Sequence, residues 1–312
     1  YYMKKDLSNI KKAKYLLDKN HCVAIPTETV YGLAANAYSD TAILKIFKLK
    51  KRPKFNPLIV HYFDARDIED DCEINSDFRK LYNEFCPGPL TFILKLKKNS
   101  KISKHVTNAK KTLAVRFPKN LITKRLLKSL NYPLAAPSAN IYTQISPVSK
   151  KDVKDEFGKK ISFILDGGSS KVGLESTIID LVSKVKILRL GGIEIDKISK
   201  VLKRKLKYSK EKNKIQVPGQ SKLHYSPNIP IRLNAKKPFS DEAFILIQKR
   251  KGFDKKYFYL TKNKNLKEAG KNLYSTLRKI KNLKFNKIAI EKIPNSGLGL
   301  TINDRLKRAS KR

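Results

Sequence analysis

Cysteine is scarce and scattered: Cys22, Cys72 and Cys86 are all that the 312-residue chain contains, with no CxxC pair among them. An odd number without paired spacing suggests neither a disulfide framework nor a zinc knuckle, and it fits a reducing cytoplasm. Long apolar runs are missing as well; none approaches the roughly 18 residues that would span a bilayer. No membrane association is expected. The stretch YYMKKDLSN turns directly into a polar amphipathic segment, without the apolar core and small-residue cleavage site of a secretory signal. A cytoplasmic protein is the expectation.

The common catalytic and nucleotide signatures are absent too. No GxxxxGK[ST] loop is present, and no GxGxxG opens a helix after a strand. Serine-hydrolase elbows, HExxH helices and EF-hand loops are missing. Any nucleotide chemistry must therefore rest on less common motifs, and no DxD-like cluster offers a protein metal site.

Acid is in short supply: 27 Asp and Glu face 69 Lys and Arg, for a net charge of +42. Such a charge favours polyanions, because neutralised phosphates release counterions. Weak binding of tRNA or double-stranded RNA is one expectation. The excess is mostly lysine spread along the chain, however, and a genome-wide lysine preference accounts for it equally well. Arginine is more telling. Arg116 in TLAVRFP and Arg189 in KILRLGG interrupt what read as buried strands, and Arg52 in KLKKRPKFNP lies between a helix end and a proline. A guanidinium in a strand needs an anion or a dense set of acceptors. An internal salt bridge would serve, but with so few acids a bound anionic ligand is the preferred reading.

What is present in quantity is alternating secondary structure. With 40% hydrophobic residues the chain can build packed cores, and its length suits two domains at roughly 100 to 200 residues each. Ser8 is placed as the cap of a first helix, followed by strand CVAIP. Helices are expected at 39–50, from Ser76, near 120–130, at 149–157 and at 196–206. Strands are expected at NPLIVHYF, TFILKL, LAVRF, PLAAP, SFILD, STIIDLV and VKILRL. Residues 1–206 thus form an α/β domain, and 207–230 a linker that holds VPGQSKLHYSPN. Strands PIRL, AFILIQ, YFYLT and KIAIEKI, with helices at 265–281 and 299–310, make 231–312 a smaller α/β domain.

The motifs that carry chemistry lie at strand ends. PTETVYGL at 26–33 supplies hydroxyls after a strand, although Thr-rich turns usually bond their own backbone. KKRPKFNPLIVH at 50–61 brings Lys50, Arg52, Asn56 and His61 around one short strand. AAPSAN at 135–140, with Ser146, and GLESTIID at 173–180 add further hydroxyls and amides. Each alone is ordinary turn chemistry; their joint occurrence in this order is not.

Together with PGPLT, AVRFP, the late HYSP and GLGLTINDRLKRAS, these motifs resemble the YrdC-like family of L-threonylcarbamoyladenylate synthases in its longer, two-domain form. The resemblance runs nearly end to end. It implies a YrdC-like twisted open sheet with helices, plus a smaller C-terminal α/β, Rossmann-like domain. It implies an ATP-dependent nucleotidyltransferase that joins L-threonine, bicarbonate and ATP, ahead of the machinery that transfers the threonylcarbamoyl group to tRNA. Carried onto this chain, it assigns threonine to Thr29, His61, Arg116, Ala136 and Ser176. ATP is assigned to Lys50, Arg52, Asn56, Thr112, Ser138, Ser146, Arg189 and Tyr225, with Lys50 and Arg52 as the catalytic cations. Mg2+ is expected to enter with ATP. Cys86 departs from the tryptophan usual before PGPLT, which touches local packing.

The residues support that chemistry independently. Bringing a carbamate oxygen to the α-phosphate sets anion against anion, so positioning and charge neutralisation dominate. Two other classes stay open: a binding module for structured RNA, and an enzyme for a different carbamoyl adenylate, as in hydrogenase-maturation carbamoyltransferases. The zinc-finger and acylphosphatase-like segments of the latter are missing here.

Overall fold

The structure, a computed structural model, describes residues 2–209, 217–219, 223–250 and 255–311, with side chains from Asp6 onward. The chain opens with α1 (Tyr2–Asp18), β1 (Val23–Ile25), β2 (Gly32–Asn36), α2 (Asp40–Lys50) and β3 (Ile59–His61). Next come β4 (Cys72–Glu73), α3 (Ser76–Phe85), β5 (Leu90–Leu96), α4 (Lys104–Thr107), β6 (Thr112–Arg116) and α5 (Leu121–Ser129). β7 (Leu134–Ala135), α6 (Lys150–Phe157), β8 (Phe163–Ile164), β9 (Thr177–Asp180), β10 (Lys186–Arg189) and α7 (Ile195–Leu202) follow. The C-terminal part contains β11 (Ile231–Arg232), β12 (Glu242–Gln248), β13 (Tyr257–Thr261), α8 (Leu266–Asn282), β14 (Lys287–Ile290) and α9 (Leu298–Ala309).

Local chemistry accounts for most boundaries. Ser39, Asn75, Asn120, Ser149 and Asn265 accept first-turn N–H groups of α2, α3, α5, α6 and α8. The first helix corrects the expectation for Ser8: it begins at Tyr2 and runs through Ser8. The helix expected at 196–206 stops at Leu202, because Lys203 turns left-handed with φ 51°. Strand β2 was not anticipated, since Gly-Leu-Ala-Ala-Asn has little β-branched or aromatic content.

The large sheet runs β10-β9-β5-β6-β3-β7-β2-β1-β8, with β4 added to β5. It is mixed: β3 is parallel to β6 and β9 to β5, whereas β5 and β6 are antiparallel. Strand alternation divides its two faces. Leu113 and Val115 of β6, Val60 of β3 and Phe92 and Leu94 of β5 pack into the main core with Ile46, Phe47 and Phe78 from the helices. On the other face Ile59, Ile93, Ala114, Ile178 and Leu188 form an apolar floor, and Val217 packs onto it. At one end of that floor β3 and β6 set His61 opposite Arg116, with Thr91 of β5 on the far side of Arg116.

The second sheet is parallel, in the order β11-β14-β12-β13. Its core includes Ala243, Ile245, Leu273, Leu277 and Ile302, and it also takes in Val30, Ile145, Val148 and Leu174 from the N-terminal part. The contact there is close. A Cβ on Gly270 of α8 would stand 2.7 Å from Leu174 Cδ1, and one on Gly173 would meet the Lys271 backbone at 2.5 Å. Of the expected linker, residues 210–216 and 220–222 lie outside the described residues. No helix among the described residues is long and apolar enough to cross a membrane.

Candidate functional site

The turn after β1 is built largely by its own hydroxyls. Thr27 Oγ1 accepts the N–H groups of Thr29 and Val30, both at 3.2 Å, donates to Val30 O at 2.6 Å, and lies 2.8 Å from Thr29 Oγ1. Thr29 is wholly buried, and it is Thr27 that reaches the wall of a small cavity at the end of the apolar floor. Val30, Tyr31, Ile59, His61, Arg116, Ala136 and Ser138 line the same cavity.

Arg116 is 4% exposed and forms an internal ion pair, the alternative that the sequence also left open beside a bound anion. Its Nη2 donates to Glu28 Oε1 at 2.8 Å, and the N–H of Lys119 donates to the other carboxylate oxygen at 2.9 Å. Arg116 Nε has no partner. Beside it His61 Nδ1 is likewise unpartnered; burial, with the adjacent Arg116 charge second, pushes the imidazole down to about 3. His61 is therefore a neutral hydrogen-bonding group at any physiological pH.

Arg52 reaches the cavity from the segment after α2. Its guanidinium donates to Asn56 Oδ1 at 2.5 Å and to the carbonyls of Asn56 and Pro57 at 3.2 and 2.9 Å. Asn56 Nδ2 is left without a partner. Lys50 is placed differently: 1% exposed and off the cavity wall, it donates to Ser138 O and Asn140 O, both at 2.5 Å. It holds the APSAN turn from behind. Burial, with Arg52 nearby, lowers the Lys50 ammonium well below its ordinary value.

A β-bulge brings in Arg189. Between Ile187 and Arg189 the β9–β10 register shifts, so Leu188 and Arg189 both stand against Ile178. Leu188 joins the floor and Arg189 the cavity wall. The Arg189 guanidinium donates to Ser176 O at 3.0 and 2.8 Å, to Ser176 Oγ at 3.0 Å and to Pro218 O at 3.0 Å. Ser176 is itself fully buried and lies 2.7 Å from Thr91 Oγ1. Burial lowers both Arg52 and Arg189 to about 10, so each keeps its charge near neutrality.

The linker forms the roof. Pro218, Gly219, His224 and Tyr225 all line the cavity. Tyr225 has φ 63°, a left-handed conformation costly for an aromatic residue, and its hydroxyl has no hydrogen-bond partner. A Cβ on Gly219, where φ is 89°, would lie 2.7 Å from that hydroxyl and 2.9 Å from Arg189 Cδ. Roof and wall are thus in direct contact.

Sequence reasoning missed Glu175 and two of its partners, Tyr274 and Arg305. Glu175 also lines the cavity, and it accepts from Ser146 Oγ at 2.7 Å, Tyr274 Oη at 2.9 Å and Arg305 Nε at 2.8 Å. One signal was available: Arg305 falls at helical spacing among Leu298, Ile302, Leu306 and Ala309, on the buried face of α9. Thr112, in contrast, is not at this cavity. It lines a second one of about 520 Å³, with Phe55, Asn108, Lys110, Asp180 and Val217, at the other end of the floor. Among the described residues no group of three or more His, Cys, Asp or Glu could hold a metal ion.

The cavity is thus a pocket of three guanidiniums with unpartnered polar atoms on His61, Arg116, His224 and Tyr225. Buried polar atoms without partners are uncommon, and so many around one pocket fit a polar, anionic ligand. A family model described as "Telomere recombination", Sua5_yciO_yrdC, matches residues 15–191. A second, Sua5_C, described as "Threonylcarbamoyl-AMP synthase, C-terminal domain", matches residues 193–311. The chain is similar to a threonylcarbamoyl-AMP synthase of Pyrococcus abyssi, 34% identical over 322 residues, with 96% of this chain and 94% of that protein covered. It is similar to one of Bacillus subtilis, 33% identical over 323 residues, with 96% and 92% covered. The fold is similar to that of P. abyssi Sua5 complexed with L-threonine, with a TM-score of 0.88, 32% identity and coverage of 96% of this chain and 94% of that one.

Proposed function

The chain belongs to the Sua5/YciO/YrdC family in its two-domain, threonylcarbamoyl-AMP synthase form, and we propose that it joins L-threonine, bicarbonate and ATP into threonylcarbamoyl-AMP, releasing pyrophosphate. The product serves the modification of an adenosine in tRNA. The observation that carries the reading is the convergence of Arg52, Arg116 and Arg189 on one buried pocket whose two neighbouring carboxylates, Glu28 and Glu175, are already paired.

Threonine lies against Arg116, which offers its free Nε to the carboxylate, with His61, Thr27 and the Ala136 turn around the side chain. The amine and bicarbonate combine with loss of water to a carbamate, whose oxygen attacks the α-phosphorus while pyrophosphate leaves. Arg52 and Arg189 neutralise the phosphates, and Ser138 orients them. Lys50, Asn56, Ser146 and Ser176 act from behind the wall by holding the groups that touch substrate. Thr112 lies on the same face of β6 as Arg116, four residues or about 13 Å along the strand, so the nucleoside end of ATP reaches the second cavity. We place magnesium on the triphosphate, because Glu28 and Glu175 are committed to arginines.

The small cavity leaves about 40 Å³ for the centres of waters, room for only a few at roughly 10–15 Å³ each. ATP and threonine need far more, so the roof of Pro218, Gly219, His224 and Tyr225 lifts to admit them. Closed again, it shields the labile adenylate from water. The test of function is pyrophosphate release by the purified protein. Release that requires threonine and bicarbonate together supports the reading; release without either of them, or none at all, rejects it. A module that only binds RNA would release none.

A further inference from the structure

Glu175 is out of place in a site for anions. It is 6% exposed and forms part of the wall of a cavity otherwise made of arginines and neutral groups. A bare carboxylate there would repel a triphosphate. Its charge is met by Arg305, whose side chain is 1% exposed and does not line the cavity. Arg305 Nε donates to Glu175 Oε2 at 2.8 Å and Nη2 to Leu190 O at 2.6 Å, while its guanidinium stands 4.7 Å from the Tyr225 ring centroid. Tyr274 of α8 donates to the same carboxylate and stacks on Tyr225 at 5.8 Å. The C-terminal part thus grips both the wall and the roof.

We infer that Arg305 is a positioning residue for the ATP half of the reaction: it neutralises and orients Glu175 from α9, so that the phosphates meet a wall without net negative charge. The inference rests on the reading of the cavity as the ATP site. Arg305 has no direct path to substrate, so its effect passes through Glu175. The Glu175 carboxyl behaves accordingly: burial alone would raise it, but Arg305 and Arg189 hold it below its ordinary value.

Two readings of this pair give different results. A purely structural pair lowers fold stability and both substrate affinities together, although Arg305 Nη1 still donates to Asp304 Oδ2 at 2.8 Å when Glu175 is lost. Charge compensation is asymmetric: Arg305→Met leaves a carboxylate facing the phosphates, whereas Glu175→Gln leaves an added cation. The full-length protein is titrated calorimetrically with magnesium-ATP, and its KM values for ATP and threonine are read from pyrophosphate release. Arg305→Met should weaken ATP about tenfold or more, as expected for an uncompensated buried charge, with the threonine KM nearly unchanged. Glu175→Gln should bind ATP as well as the parent or better. The double variant Glu175→Gln/Arg305→Met should return to within about threefold of the parent, a coupling that a double-mutant cycle reads directly. Equal losses in the two single variants, or a folded double variant that still binds ATP about tenfold worse, overturn the inference. If Arg305→Met does not fold, Arg305→Lys and the double variant decide: the first keeps the charge, and both should keep ATP affinity. A parent protein that binds no ATP would reject the site reading itself, which separates the two failures.

Discussion

Arg116 and Glu28 form a buried ion pair of 2.8 Å, with side chains 5% and 8% exposed, between β6 and the turn that follows β1. The pair fixes one edge of the guanidinium and leaves Nε unpartnered. The fork is therefore oriented before any substrate arrives, which lowers the ordering needed on binding.

Arg116→Lys should raise the threonine KM by roughly 10- to 100-fold, the worth of a charge-assisted hydrogen bond, while the protein stays folded. Lysine can still meet Glu28 but cannot offer a second, planar donor. Pyrophosphate release against threonine concentration, with circular dichroism as the folding control, makes the comparison. An unchanged threonine requirement in a folded variant sinks the assignment.

Arg52 and Lys50, grouped by sequence, should separate in experiment. Arg52 lines the cavity, so Arg52→Ala should weaken ATP by about 10-fold or more and leave threonine binding alone. Lys50 ties down the carbonyls of Ser138 and Asn140. Lys50→Met should loosen the whole APSAN turn and weaken both substrates together. Calorimetric titration with each ligand separately distinguishes the two patterns, and identical behaviour would contradict the placement.

Gly219 tests the roof. Any side chain there meets the Tyr225 hydroxyl and Arg189 and must adopt φ 89°. Gly219→Ala should hinder closure, so that more adenylate escapes and hydrolyses per pyrophosphate released, at a stability cost of about 1 kcal/mol or more. The readout is the ratio of retained adenylate to pyrophosphate. Tyr225→Ala should move that ratio in the same direction. A ratio equal to the parent's in both variants would show that the segment is only a connection.

His61 has a pH signature. Its folded-state value is depressed from 6.5 to about 3, so between those limits the unfolded chain takes a proton that the folded one does not. Stability must then fall as pH falls below 6.5, by about 1.4 kcal/mol per unit for this group. His61→Gln should lose less than the parent between pH 7 and pH 5, by about 2 kcal/mol, measured by urea unfolding. An equal loss would mean that His61 is protonated within the fold.

Much of this was legible in the residues. Local chemistry marks the helices: Ser39, Asn120, Ser149 and Asn265 are side-chain caps whose partners lie two or three residues away. Period-two alternation marks β5 and β6, and an arginine within such a pattern signals a buried guanidinium that needs acceptors, without saying which. Strand β2 escaped because small residues carry no such signal, and the Arg189 bulge because register is a property of two strands.

The sequence by itself determined the α/β alternation, the motifs at the strand ends and the scarcity of acid that makes each buried carboxylate count. Those features are encoded within a few residues of one another. Only the tertiary structure decided who meets whom: Glu28 reaches Arg116 across 88 residues and Glu175 reaches Arg305 across 130. It also moved Lys50 behind the wall, separated Thr112 from the small cavity and set Tyr225 over it. The reason is physical. A charge can be buried only where its partner arrives from elsewhere in the chain, and that meeting depends on how sheet and helices pack, a relation that no local window contains.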